Sequence, residues 1–514
     1  MAADSSLALG ALLTALPGAA LLGDAATIVN GVAYDSREVA PGDLFAALPG
    51  GYVDGHDFAA AAIERGAAAL LVERPLPIAA PQLIVPDARA ALAVAAAELY
   101  RHPSRELDVI GITGTDGKTT TSYLTDAIFR AAGRVTGMIG TIAVRIGGEE
   151  DRHATRQTTP ESAEIQRLLR AMVAAGADWA ILEATSHGLA MHRLDGVRFR
   201  IGAVTNITHE HLEFHGTIEK YWRAKATLFE RVAAAGGRAV VNIDDAGASS
   251  VLAYCAGAEA LRYSTRGAPA DLQAVAIEAD ERGSRFWLQR GDERARVDLP
   301  LLGAFNVENA TCAAGIALAA GIPLPAIAAA LGQAEPAPGR MAFIDMGQPF
   351  GVVVDYAHTP ASLAKVLALL RSLYRGRLIV VFGSAGERDV EKRAIQGDVA
   401  ARLADVAVVT SEDPRYEDAA AIVAQIAAGA IAAGGREGES LYRETDRRAA
   451  IALACGLARS DDCVLLAGKG HEGSIIWGGE KLPWNEAETA REILAEMGYN
   501  LPQPAHDVAR PRRS

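Results

Sequence analysis

The stretch VIGITGTDGKTTT (residues 109–121) sets an apolar run against a glycine-rich turn, with Lys-Thr-Thr opening a helical pattern. Glycines let backbone N–H groups curl around phosphate oxygens, and a helix N-terminus adds favourable partial charge. Gly114, Thr115, Asp116 and Gly117 make the turn, Lys118 is placed to reach the outer phosphates of a nucleotide, and Thr120 continues the helix start. The Thr119 hydroxyl is placed to meet a magnesium ion. The generic phosphate loop has its first glycine five residues before the second, whereas here Gly111 is six before Gly117. Strand, turn and helix are nevertheless all present, and no NKxD-type guanine-reading motif accompanies them. The stretch predicts ATP binding.

A second constellation lies in TNITHEHLEFHGTIEKYWRAKATLF (residues 205–229), where His209, His211 and His215 stand beside acids and a helical pattern carries Lys225. Histidines two apart suit zinc, but no cysteine is near; magnesium takes mostly oxygen, so one histidine at most should ligate, and His211 is the choice. Glu183, ending the run WAILEA, is placed like the acid that closes a phosphate-loop strand onto metal. An ammonium at Lys225 would repel Mg²⁺. A neutral lysine adds CO₂ to become an anionic carbamate, but the pattern alone leaves Lys225 equally an ordinary solvated helix residue.

A third is SEDPRYED (residues 411–418), four acids around Pro414 and Arg415 after the apolar run DVAVVT. It reads either as a solvated turn cornered by the proline or as a ligand loop at the carboxyl edge of a parallel sheet.

The elements that must position these groups follow from the alternation of the chain. WAILEA, IGAVTNI and RAVVNID in the middle, then GVVVDYA, RLIVVFGS, DVAVVTS and CVLLAGKG, read as buried strands, with helical patterns near 390–404, 419–434 and 447–459 between the later ones. Apolar strands alternating with helices mean parallel sheets covered on both faces. At 514 residues the chain suggests roughly three α/β domains. RHPSREL (101–107) and GQAEPAPGRM (332–341) are the seams, giving an N-terminal domain over 1–106, a central phosphate-loop domain over 107–337 and a C-terminal domain over 338–500. Residues 501–514 read as a short disordered basic tail.

A net charge of −13 argues against nucleic acid or an anionic membrane as partner. Cys255, Cys312, Cys455 and Cys463 lack CxxC spacing, which fits a reducing compartment. The apolar stretch at residues 7–22 follows Asp4, not a basic segment, and is broken by Pro17 and Gly18, so it predicts a packed helix and turn, not a signal peptide. No stretch is long and apolar enough to span a bilayer. A cytoplasmic monomer is expected.

With these motifs in order, the chain resembles the Mur ligase family, ATP-dependent carboxylate–amine ligases of peptidoglycan synthesis. The resemblance covers nearly the whole chain and rests on GITGTDGKTT, EATSHGL, HEHLEFHGTIEKYWRAK, GAFNVENATCAA, GRM, DYAHTP and GKGHE. It is nearest to the members that add meso-diaminopimelate to UDP-N-acetylmuramoyl-L-Ala-D-Glu. It implies a UDP-sugar domain, a central ATPase with two Mg²⁺ ions and a Rossmann-like C-terminal domain for the incoming amino acid. It also implies a carbamate on Lys225. Ser36 in YDSR resembles the contact to the uridine end, and Thr158, Thr159, Thr185 and Arg193 the contacts to the muramoyl-peptide. Asn309 resembles the adenine contact, and Arg340 and Asp355 the contacts to ribose and phosphates. Arg388, Asp413, Pro414, Arg415, Gly468 and Glu472 resemble the diaminopimelate site, with Asp413 and Glu472 suited to its ammonium.

Departures from the family pattern are Asp116 for Asn, Thr185 for Ser, Met191 for a polar residue, Ala342 for the Glu after GRM, and Asp413 for Asn. Met191 weakens one substrate contact, and Asp413 bears on amino-acid selection. The other readings are a sister ligase adding lysine or glutamates, told apart by which amino acid stimulates phosphate release, and a phosphate-loop ATPase doing conformational work, which would form ADP without a carboxylate substrate.

Overall fold

The computed structural model describes residues 6–50, 53–151, 157–208, 212–280 and 283–500. The expected basic tail and His209 and His211 lie outside the described residues. Two compact units form: Met1–Ala274 with Leu288–Ala295 and Glu308–Ala330, and Val275–Trp287 with Arg296–Val307 and Leu331–Ser514.

The first unit contains two sheets. The N-terminal one runs in the order Ala20–Leu22, Gln82–Ile84, Ala69–Val72, Asp43–Ala46, Gly31–Ala33, parallel except for the first strand. Helix Leu9–Ala15 buries Leu9 and Leu12 against this sheet's core. Sequence suggested only a helix and turn here, but Gly18 at φ 75° reverses the chain and residues 20–22 add an antiparallel edge. Asp87 caps helix Ala88–Leu99, whose alanine-rich face packs into the same core as Ala163 of the central region. The seam at 101–107 is packed, not loose. Pro103 and Ser104 are buried, and Arg170 donates to the carbonyls of Tyr100 and Arg101 and pairs with Glu106 at 2.6 Å.

Within the central sheet six neighbouring strands run Thr136–Ile139, Trp179–Glu183, Asp108–Thr113, Ile201–Val204, Arg238–Asn242, Glu259–Ser264, all parallel, and Val144–Ile146 adds antiparallel to the first. Its apolar strands are covered by helices Lys118–Ala131, Ser162–Ala174 and Ile218–Ala234. The carboxyl ends of the strands ending at Thr113, Glu183 and Val204 are neighbours, so three loops meet there.

The second unit is built on a six-stranded sheet, Ala342–Phe343, Gly351–Asp355, Cys463–Ala467, Leu378–Phe382, Val406–Val409, Leu441–Arg443, parallel after the first pair. Strand alternation splits its apolar residues between two cores: Val353, Val380 and Leu465 face one, Val352, Ile379 and Leu466 the other. Helices Glu391–Leu403, Ala419–Ala432 and Arg447–Leu457 fall where the periodicity placed them. All four cysteines are free and buried. Among the described residues no helix is long and apolar enough to cross a membrane.

Candidate active site

The turn after strand Asp108–Thr113 needs its glycines for reasons of space as well as conformation. A Cβ on Gly114 (φ 149°) would lie 1.9 Å from the Thr205 hydroxyl, and one on Gly117 (φ 86°) 2.2 Å from the Asn309 amide oxygen. Gly111 is different. It sits inside the strand, where a Cβ would strike Leu228 and Phe199, so it is a packing glycine and the loop proper starts at Gly114. That explains the spacing that departs from the generic loop. The strand ending at Val204 holds the loop's shape: the Thr115 N–H donates to the Asn206 carbonyl at 2.7 Å and the Asp116 N–H to the Asn206 side chain at 2.9 Å. Asn309 is buried against Gly117 and so belongs to the loop's support.

Lys118 curls back onto its own turn, its Nζ donating to the carbonyls of Gly114 (2.9 Å) and Thr115 (2.8 Å). Thr119, buried on the first turn of the helix, donates to Glu183 Oε2 at 3.0 Å. Thr141 reaches the same carboxylate with its N–H (2.9 Å) and hydroxyl (2.8 Å), and lies 3.1 Å from Thr158. A buried carboxylate ringed by hydroxyls is a set of hard oxygen donors, which fits a magnesium ion. Thr141 carried no motif and was missed; only the fold brings it to Glu183. Among the described residues no group of three His, Cys, Asp or Glu side chains forms a metal cluster.

Lys225 is 1% exposed, which removes the reading of a solvated helix residue. Its Nζ donates to the Gly114 carbonyl at 2.7 Å, the oxygen that also accepts from Lys118, and lies 4.7 Å from the centre of the Tyr221 ring. Tyr221, which lies in the same quoted stretch but was given no role there, joins its hydroxyl to Thr115 Oγ1 at 2.9 Å, tying the lysine helix to the phosphate loop. His215 is buried, its ring 5.4 Å from that of Tyr221.

A polar chain leads from Glu183 toward the N-terminal sheet. Thr159 donates to the Glu183 carbonyl (2.6 Å) and accepts from the hydroxyl of Thr185 (2.9 Å), which caps helix Ser186–Ala190. Arg193 donates to the Thr159 carbonyl at 3.2 Å and to Glu161 at 3.0 Å, and Arg89 of the N-terminal sheet region meets the same Glu161 oxygen at 3.2 Å. Ser36 follows the strand Gly31–Ala33, two residues from Tyr34, whose phenol is pushed up to about 12 by burial and the nearby Glu164 and Glu161. Glu161 and Arg89 were not found in the sequence because their partners lie 32 and 72 residues away. Met191 ends helix Ser186–Ala190 and is half-buried.

In the second unit, residues 411–414 are buried, so this half of the acidic loop is not a solvated turn, while Tyr416 and Asp418 beyond it are exposed. Arg415 takes φ 54°, its N–H donating to the Ile476 carbonyl (3.0 Å) and its carbonyl accepting from Gly478 (2.7 Å). Asp413 accepts from the Ile476 N–H at 2.9 Å and from Lys469 Nζ at 2.9 Å, and Lys469, wholly buried, also meets Glu472 at 2.5 Å. Burial opposes the Lys469 charge, yet the neighbouring carboxylates of Glu472 and Asp413 prevail and hold it cationic. The two acids expected to take a ligand ammonium therefore already share one, because GKGHE folds its lysine inward. Glu412 is the exception: it is buried, and its Oε2, 3.1 Å from where a Cβ on Gly468 would stand, has no hydrogen-bond partner among the described residues. Arg415 Nε is likewise buried without a partner among them.

Around this loop, Gly386 donates to the Asp413 carbonyl at 2.8 Å, which brings in the segment bearing Arg388, itself exposed. Arg447 and Glu486 form a buried pair at 2.6 Å, and Arg447 also donates to the carbonyls of Ser411 (3.1 Å) and Ala467 (2.8 Å), clamping the two strand ends together. The Tyr356 hydroxyl donates to Glu472 at 3.3 Å, and the Arg340 guanidinium sits 4.4 Å from the Tyr356 ring centre. Asp355 spends one oxygen on the Met341 N–H and the other on the Ala357 N–H, both at 2.8 Å, so it shapes the turn that presents Arg340; burial raises its carboxyl above the usual range. Ala342 leaves the start of its edge strand without an acid.

Three family descriptions match the chain in order: Mur ligase family, catalytic domain, over residues 28–101; Mur ligase middle domain, over 112–317; and Mur ligase, glutamate ligase domain, over 339–470. The chain belongs to the Mur ligase family. It is 48% identical over 486 residues to the UDP-N-acetylmuramyl-tripeptide synthetase of Roseiflexus sp. (strain RS-1), covering 92% of this chain and 95% of the relative. It is 40% identical over 495 residues to the UDP-N-acetylmuramoyl-L-alanyl-D-glutamate–2,6-diaminopimelate ligase of Geobacillus kaustophilus (strain HTA426), covering 95% and 99%. A solved structure of a ligase of the latter name superposes with a TM-score of 0.66 at 30% identity, over 96% of this chain and all of that one. This Mur ligase is thus a three-domain α/β enzyme, an ATP-dependent ligase of peptidoglycan precursor synthesis.

Proposed function

We propose that this Mur ligase joins an amine of meso-2,6-diaminopimelate to the D-Glu γ-carboxylate of UDP-N-acetylmuramoyl-L-Ala-D-Glu, at the expense of ATP, in the cytoplasm and as a monomer. The observation that carries the choice of amino acid is Arg415, a half-buried guanidinium whose Nε is buried and unpartnered among the described residues, in a loop whose shape is set by Asp413 and the Ile476 backbone. Diaminopimelate differs from lysine by a carboxylate beside the distal ammonium, and a guanidinium grips a carboxylate through two parallel hydrogen bonds. Glu412, not the lysine-bound Asp413 and Glu472, is the acid left for that ammonium. Arg388, Pro414 and Gly468 complete the subsite.

In the first step the γ-carboxylate attacks the γ-phosphorus of ATP, giving an acyl phosphate and ADP. A carboxylate approaching a polyphosphate is repelled, so the loop amides and Lys118, released from its own carbonyls, supply positive charge. Thr119, Glu183, His211 and a carbamylated Lys225 would hold two Mg²⁺ ions, which supply further charge neutralisation. Burial of Lys225 and its sharing of the Gly114 carbonyl with Lys118 both disfavour a second full charge there, which supports the neutral amine that adds CO₂. Asn309, Arg340 and Asp355 are assigned to the nucleotide, Ser36, Thr158, Thr159, Thr185 and Arg193 to the UDP-muramoyl-dipeptide. In the second step the amine attacks the acyl phosphate and expels phosphate.

The test is phosphate release from ATP and the UDP-muramoyl-dipeptide with each candidate amino acid in turn. Diaminopimelate should stimulate release far more strongly than lysine. Equal use of both would overturn the assignment, and ADP formation without the dipeptide would favour an ATPase.

A further inference from the structure

Asp413 lies two residues from Arg415 in a buried turn, and an acid so placed is the nearest competitor for the guanidinium that a ligand carboxylate needs. In this structure Asp413 Oδ1 is occupied, accepting from Lys469 Nζ and the Ile476 N–H at 2.9 Å each. Lys469 is 0% exposed and spans from Asp413 to Glu472, whose other oxygen accepts from Tyr356 at 3.3 Å. One buried cation thus bridges Asp413 and Glu472, while Arg415 finds no acid among the described residues. An uncompensated buried carboxylate seeks a cation, and Arg415 is the next one along the loop.

We infer that Lys469 is a positioning residue that sets the preference for a ligand with a distal carboxylate: by holding Asp413 and Glu472 it keeps Arg415 open and denies both acids to a lone distal ammonium. This rests on the diaminopimelate reading above. Asparagine at 413 would leave nothing to neutralise there, so the acid at this position makes the lysine decisive in this chain.

The experiment measures phosphate release with ATP and the UDP-muramoyl-dipeptide, comparing diaminopimelate with lysine for the full-length protein. Lys469→Met should lower the ratio of kcat/KM for diaminopimelate over lysine at least tenfold. The change should fall on the amino-acid KM, with KM for ATP and dipeptide within threefold of the parent. Adding Asp413→Asn, which keeps an acceptor for the Ile476 N–H but drops the charge, should recover at least threefold of that loss. A ratio unchanged by Lys469→Met, or a loss that Asp413→Asn does not relieve, overturns the inference. Should Lys469→Met not fold, Asp413→Asn alone decides: Lys469 and Glu472 then balance, the cluster loses its one net negative charge and should attract a lone distal ammonium less, raising the ratio at least threefold, and an unchanged ratio overturns the idea. A parent enzyme that does not distinguish the two amino acids removes the diaminopimelate reading itself, and the inference with it; a parent that does, with variants that do not respond, removes the inference alone.

Discussion

The phosphate loop and the Asp413–Arg415 loop both leave the carboxyl end of a buried parallel strand, yet they are built from different materials. The first is made largely of backbone: two positive-φ glycines, amides held by Asn206, and a lysine resting on loop carbonyls. The second is made of buried side chains, with Lys469, Asp413, Glu472, Arg447 and Glu486 paired out of water. Backbone recognition suits a phosphate common to every reaction of the family, because amides read charge and shape and nothing else. Side chains are what differ between ligands that share a backbone, so the loop proposed to choose an amino acid is made from them. Its cost is a set of buried charges, each of which depends on its partner.

The comparison is tested hardest where the buried charges are deepest. Arg447→Met leaves Glu486 inside the second unit without its cation, which should lower stability by roughly 3–5 kcal/mol in urea denaturation. A loss below about 1 kcal/mol would show that the side-chain loop does not rest on this pair.

In the backbone loop the largest effect should be kinetic. Lys118→Ala should leave urea stability unchanged while cutting dipeptide-dependent ADP formation by about 10²–10³-fold. A variant keeping a tenth of the turnover would remove Lys118 from the chemistry.

Lys225→Ala should lose about 10²-fold and be partly rescued by acetate, which restores an anionic oxygen, and Lys225→Arg should stay inactive although it keeps the charge. An active arginine variant excludes the carbamate. Arg415→Ala should raise the diaminopimelate KM about 30-fold, roughly 2 kcal/mol, and narrow the gap to lysine, with ATP and dipeptide KM values unmoved. The smallest effect belongs to Tyr356→Phe. Losing the hydroxyl's bond to Glu472 should cost about 1 kcal/mol, read as roughly a fivefold rise in amino-acid KM.

Local pattern made much of this molecule legible. Strand, turn and helix around Gly114–Lys118 follow each other within a dozen residues, so composition alone exposed the nucleotide loop, and the alternating apolar runs of residues 351–467 marked the strands of the second sheet. At the seam of 101–107 the local pattern carried nothing of the packing, because the residue bonded across it, Arg170, comes more than sixty residues on.

By itself the sequence determined which residues could do chemistry and in what order along the chain, because glycine, proline and apolar periodicity act over a few residues. Only the tertiary structure decided what those residues are free to do. It removed Gly111 from the phosphate loop by packing it on Leu228 and Phe199, buried Lys225 on the Gly114 carbonyl, and gave Asp413 and Glu472 to Lys469 while leaving Glu412 and the Arg415 Nε without partners among the described residues. Pairing of buried charges is a contest among all groups within a few ångströms, and those neighbours come from stretches that can lie more than a hundred residues apart. No local pattern contains that information.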